Sequence, residues 1–433
     1  MAQPQIIGIS KSQIYPVNGG SSAVYSFKNG NPQLSFEIAP TDRLLDTTTA
    51  RLNFRFKLLQ STGDRYPNNN LILTNGGAND AASGAEVGTT NSRVGLNCLI
   101  QSLRIRNFSN QVIAEIRDFS RLMATTLPLT NSIDGYKTQL SSLYQAYGQI
   151  GAQEAHSILP KDVSLPIDAG IFKNGEALNL MAIGGMKLDF NLAPSSFVVK
   201  GTAGVYYEIS NVSMTYNSVD LSSPMPQSND PILYPAYNSF SQILVASDTQ
   251  KSTNFNLSSV RSVFQNFVPS SFINNYAQDS LETTKLKLGA GTDAEINSYS
   301  HLRNALKFPN KYSVEERDAV LDVAFPAHLY REFVDSVKSF KTIRNSMLSE
   351  ISENINNAGT QANAGTEDLG KNVYGVGVRF DKTNSGIGSE FKNSVFTTRI
   401  SSGLDGSGIN SSYIFTLSNQ QLNVSNQNIQ PVS

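Results

Sequence analysis

The strongest constraint in this 433-residue chain is a period of two in its apolar residues. In ARLNFRFKLL, Leu52, Phe54, Phe56 and Leu58 fall on one side of an extended chain, with Arg51, Asn53, Arg55 and Lys57 on the other. Successive side chains of a strand point to opposite faces, so this pattern predicts a strand with one face buried and one wet. Leu34, Phe36 and Ile38 alternate with Gln33, Ser35 and Glu37 in the same way, and Met186, Leu188, Phe190 and Leu192 with Lys187, Asp189 and Asn191. Parallel α/β strands are apolar on both faces, so the alternation points to antiparallel sheets packed as a sandwich.

Further segments extend the series. SLRIRNF and QVIAEI flank Ser109 and Asn110 and read as a hairpin. Tyr206 to Tyr216 reads as a long strand whose apolar face changes near Asn211, the signature of a bulge. Strands resume at Phe240–Ala246, Val260–Val268, Tyr374–Phe380, Val395–Ile400 and Tyr413–Leu417, the last with Tyr413, Phe415 and Leu417 on one face. Helices are few. Arg117–Thr125 places Phe119, Leu122 and Met123 on one face, and a second helical stretch starts at a Ser313/Glu316 capping box and resumes after Pro326. Leu329, Phe333, Val337 and Phe340 form its apolar stripe.

Composition excludes several classes. Lys and Arg number 34 against 35 Asp and Glu, a net charge of -1, which leaves no cationic surplus for binding nucleic acid by counterion release. Charged residues are 16% of the chain, below the roughly 25% of soluble domains. Asn, Ser, Thr and Gly replace them, giving a surface suited to close lateral contact without unpaired charge. The single Cys98 excludes an internal disulfide and a cysteine zinc cluster. The first twenty residues show neither a basic segment nor a continuous apolar core, so no export signal is expected, and no apolar run reaches the roughly 18 residues of a membrane span.

No catalytic, cofactor-binding or metal-binding residue is assigned. His156, His301 and His328 lie far apart, and Cys98 reads as a small buried apolar residue. Gly403, Gly406 and Gly408 lack the Lys-Ser/Thr ending of a phosphate loop, and GVGVRF lies in a strand-like run. The acidic pairs Glu315/Glu316 and Glu367/Asp368 raise a glycosidase, but the chain has no Trp for a sugar platform, and acids near a helix start favour its dipole. Asn107, Asn211, Asn256, Asn410 and Asn423 begin Asn-x-Ser triplets, which an Asn- and Ser-rich chain produces by chance.

Long polar stretches at 60–95, 274–297 and 355–372 separate the elements, and Pro224, Pro226, Pro231 and Pro235 mark the best boundary. Ser164–Phe197, SLPIDAGIFKNGEALNLMAIGGMKLDFNLAPSSF, resembles part of the first barrel of the double jelly-roll major capsid proteins of eukaryotic DNA viruses, the virophage and polinton-like type above all. YEISNVSMTYNSVDL resembles the strand that closes that barrel, and SVRSVFQNFVPSSFINN with NALKFPNKY the start of the second. The resemblance implies an all-β chain with a few inserted helices, made of two consecutive eight-stranded antiparallel jelly-roll barrels. Its expected parts are an N-terminal arm at 1–30, a first barrel at 31–221, a proline-rich junction at 222–235 and a second barrel with a C-terminal tail at 236–433.

It further implies a non-enzymatic capsid building block that forms homotrimers and tiles an icosahedral virion shell with minor capsid and penton proteins. No cofactor and no specific nucleic-acid recognition are expected. Residues 1–30, with Lys11 and Lys28 as their charges, read equally as an inward arm touching an internal membrane or packaged DNA and as a plain lead-in. The alternatives are an extracellular β-sandwich adhesin or carbohydrate-binding module, a self-assembling filament protein, and, last, a hydrolase.

Overall fold

The structure is a computed structural model that describes residues 5–64, 95–130, 161–173, 177–198, 204–223, 232–244, 250–268, 302–307, 333, 335–340, 376–381, 388, 395–400, 410–425 and 428–432. The first half carries strands β1 (Ile6–Ile14), β2 (Gln33–Ile38), β3 (Leu44–Leu59), β4 (Ile100–Arg106), β5 (Val112–Ile116), β6 (Lys161–Pro166), β7 (Ala177–Asn179), β8 (Met186–Leu192) and β9 (Tyr206–Leu221). The second half carries β10 (Ile232–Leu244), β11 (Gln250–Asn254), β12 (Val260–Val268), β13 (Leu302–Lys307), β14 (Val376–Arg379), β15 (Val395–Ile400), β16 (Asn410–Ser425) and β17 (Asn428–Val432). Helices α1 (Phe119–Thr130), α2 (Leu180–Ile183) and α3 (Ser195–Val198) are inserted between strands.

In the first half one sheet runs β1-β9-β3-β6, with β7 also on β3, and the other runs β2-β8-β4-β5. The alternation seen in sequence turns Leu52, Phe54, Phe56, Leu58, Leu34, Phe36, Ile38, Met186, Leu188, Phe190 and Leu192 into one buried core. Phe36 meets Phe190 edge to face at 6.1 Å, and Phe56 stacks on Tyr207 at 6.1 Å. Each such side chain removed from water contributes about 1.5–3 kcal/mol, which is why register is held: a one-residue slip would turn the whole set outward.

Local chemistry sets the turns. Asn110 closes the β4–β5 hairpin at φ 63, where its short polar side chain tolerates the left-handed region. The bulge expected near Asn211 is present: Asn211 and Val212 of β9 stand opposite Phe54 alone, between the pairs Asn53–Ser213 and Arg55–Ser210, and Asn211 has φ 51. Asn179 caps α2 by accepting the Ala182 N–H at 3.2 Å, and Gly184 and Gly185, at φ 71 and 78, end that turn and launch β8.

Among the described residues, seven strands of the second half repeat the order of the first, and β5 has no described counterpart. β10-β16-β12-β14 matches β1-β9-β3-β6, and β11-β15-β13 matches β2-β8-β4. In each half the first strand pairs with the last long one, Ile6 to Leu221 and Ile232 to Leu422. Internal duplication is thus plain in topology, though no residue-level repeat exists in the sequence.

Several readings change. Residues 6–14, read as part of an arm, are a strand paired along β9. Their isoleucines do not mark a buried face, because Ile7 and Ile9 point to the exposed one. β10 starts at Ile232, well before Phe240, and Pro235 sits inside it opposite Asn419. A proline is tolerated there because the far side of β10 is bridged only at Asn238. β16 keeps Tyr413, Phe415 and Leu417 on one face, in the main core, and its other face is buried too, with Ile414 in a second cluster with Phe255, Leu257, Val260 and Val263. α1 runs to Thr130, past Thr125. The Ser313/Glu316 capping box, Pro326 and Leu329 lie outside the described residues, but Phe333, Val337 and Phe340 of the same stripe are buried against Phe264 and Tyr237.

Candidate functional site

Chemistry is sparse among the described residues. They hold no group of three or more His, Cys, Asp or Glu able to share a metal ion. No helix among them is long and apolar enough to cross a membrane. His156, His301, His328, Gly403, Gly406, Gly408, Glu315, Glu316, Glu367 and Asp368 lie outside the described residues. Cys98 is buried in the short turn Gly95–Leu99, and burial pushes its thiol well above the usual range, away from a reactive thiolate. Asn107 is buried and holds Gln111 through both its amide nitrogen and its side-chain oxygen, at 2.9 and 2.8 Å, so it presents no acceptor for a glycan.

Two surfaces among the described residues bear on assembly: a seam inside the chain and an open edge at β1. At the seam, β5 of the first half pairs in parallel with β10 of the second at Glu115–Asn238, making one continuous sheet β14-β12-β16-β10-β5-β4-β8-β2. The Arg117 N–H donates to Ser239 Oγ at 2.9 Å, and the Tyr234 hydroxyl donates to the Ile113 carbonyl at 2.9 Å. Gly170, in the turn Gly170–Lys173, lies so close to β10 that a Cβ would stand 1.9 Å from the Pro235 carbonyl oxygen.

Beside it Lys173 pairs with Asp168 and donates to the Phe340 carbonyl at 3.4 Å, an acceptor shared with the Tyr237 hydroxyl. α1 closes the other end. Asn266 of β12 donates to Thr125, and the Arg121 guanidinium lies 5.5 Å from the Tyr413 ring centre. Asp118, just before α1, is held up at about 6 by burial, against the opposing pull of Arg121 and Arg117. Sequence reasoning missed this seam, because its residues come from segments at least 65 positions apart.

The open edge is β1. It is the terminal strand of its sheet, and among the described residues nothing pairs with its outer side. Ile6, Ile7 and Ile9 are 68%, 68% and 69% exposed, and Tyr15 and Val17 continue the apolar surface. A groove of about 400 Å³ beside them is lined by Ile7, Gly8, Asp42, Arg43, Asp220 and Leu221, with Arg43 and Asp220 paired at 2.8 Å. The rest of that sheet's outer face is polar: Arg55 pairs with Asp162 at 2.7 Å, Lys57 with Glu208 at 3.2 Å, and Arg51 donates to Ser164 at 2.8 Å. Lys28 is used inside the fold, over the Tyr206 ring at 3.8 Å and on the Ser61 carbonyl at 3.0 Å.

Solved structures carry the same arrangement end to end. The chain matches VP54 of PBCV-1, as fitted into a reconstruction of the virophage Sputnik, over 100% of its own length and 98% of the other, with 12% identity and a TM-score of 0.56. The chain has a double jelly-roll fold. Two further double jelly rolls agree with it: the Faustovirus major capsid protein, at 10% identity over 98% and 92% with a TM-score of 0.52, and a chain of the Sputnik virophage, at 11% identity over 100% and 89% with a TM-score of 0.52. No protein-family model matches this double jelly roll, and no curated protein is similar to it in sequence.

Proposed function

We propose that this chain is a major capsid protein, a structural building block of an icosahedral virion shell rather than an enzyme. One observation carries the reading: a double jelly roll that matches capsid chains over nearly their whole length. The low charge supports it, since a surface of Asn, Ser and Thr makes repeated contacts with copies of itself without stranding charge at an interface. The first barrel is β1–β9 and the second runs from β10, with the junction in the proline-rich stretch between them.

Three chains give six barrels, a homotrimer of pseudo-hexagonal outline. Trimers then pack laterally into the shell, with minor capsid and penton proteins as the further partners. The fold does not favour the adhesin or carbohydrate-binding alternative. The test is the mass of the purified protein together with electron microscopy of what it forms. The expected result is a particle of three 47.0 kDa chains that builds hexagonal patches or shells. A monomer at micromolar concentration that forms neither would overturn the reading.

A further inference from the structure

The repeat of strand order exposes one difference between the barrels. In the second barrel β10 stands where β1 stands in the first, at the edge of its four-strand series. The outer side of β10 is covered, by β5 at Glu115–Asn238 and by the flanking bonds from Arg117 and Tyr234. The outer side of β1 is bare among the described residues, and it carries three isoleucines more than two-thirds exposed. Natural edge strands are blunted by charge, proline, bulges or shortness, because free N–H and C=O groups beside apolar side chains recruit another strand. β1 has nine residues, no proline, one charge, Lys11, and one register shift, between Ile6 and Gly8 at its start, so Ile9 to Ile14 run as a regular unblunted edge.

We infer that the outer edge of β1 docks a second copy of this chain, whose second barrel covers it as the first barrel's β5 covers β10. The inference rests on the proposed self-assembly and names its surface. The occupant follows from the repeat: within one chain the first barrel covers the start of the second, and only another copy supplies a second barrel to cover the start of the first. Such a contact joins two different patches, so it propagates head to tail and closes into a ring when the rotation allows. With three copies, seams within and between chains alternate around six barrels.

The test compares the wild-type chain with the double variant I7T/I9T, which keeps β-branched residues but removes apolar area, and with M181K, which alters an exposed residue on α2. Sedimentation across a concentration series reads the trimer, and hydrogen exchange of the 5–15 peptide reads the edge. The expected outcome is that I7T/I9T trimerises at least about tenfold more weakly with an unchanged circular dichroism spectrum, while M181K behaves as wild type. The 5–15 peptide of the wild-type trimer should exchange about tenfold more slowly than after dilution to monomer, and this comparison decides even where the variant misfolds. A variant that trimerises normally, with the 5–15 peptide equally exposed in trimer and monomer, overturns the inference and leaves self-assembly standing; the edge would then face lipid or another protein. A wild-type chain that never trimerises overturns both.

Discussion

Gly170 occupies its position because nothing larger fits under the Pro235 carbonyl. Gly170→Ala should destabilise the protein by about 2–3 kcal/mol or more, since the obstacle is backbone and cannot rotate away. The loss would be read from urea unfolding. Asp118 gives a pH signature. Its carboxyl is raised to about 6, above the ordinary range, so the folded state takes up its proton more readily than the unfolded chain. Its contribution is therefore favourable below pH 4 and lost as pH rises through about 6, and Asp118→Asn should flatten the stability profile between those limits. Measuring unfolding free energy at pH 4.5 and 7.5 in both proteins tests the sign. Cys98 should resist thiol reagents in the native protein and react fully in denaturant; rapid native labelling would contradict its burial.

At the scale of elements, the most informative residue is Phe264. It meets Phe333 at 6.2 Å, Phe340 at 4.9 Å and Phe415 at 5.1 Å, joining β12, β16 and the residues on either side of the helical turn 335–338. Phe264→Ala should cost about 3–5 kcal/mol, measured by denaturant unfolding. Much of this level was legible in sequence. The alternating strands, the Asn110 hairpin and the Asn211 bulge all follow from local rules of face and backbone freedom. What escaped was whatever depends on a distant neighbour. β1 read as an arm because its apolar residues face outward, and β10 read as short because Pro235 normally ends a strand. β16 showed one apolar face in sequence, and nothing there marked the other, because Ser412, Thr416 and Ser418 are polar yet buried. The seam carried no signal at all, since Gly170, Lys173 and Asp118 look like ordinary turn and cap residues.

For the whole molecule, the shared sheet and the common core across both barrels make them a single cooperative unit. Equilibrium unfolding should show one transition by both fluorescence and circular dichroism; two separated transitions would show that the seam is weak. The long-range pairing of β1 with β9, and of β10 with β16, also sets a timetable for synthesis. A chain emerging from the ribosome cannot finish its first barrel until Leu221 is free, nor its second until Leu422 is free. During the interval the first barrel waits with the β5 edge uncovered, because its covering strand β10 is fixed in a sheet only when β16 pairs along it, as far as Leu422. Two hundred residues at about 5–20 residues per second make that a wait of tens of seconds. The nascent protein therefore spends its most adhesive period beside other ribosomes making the same chain, and its yield in cells depends on how translation speed and chaperones fill that gap.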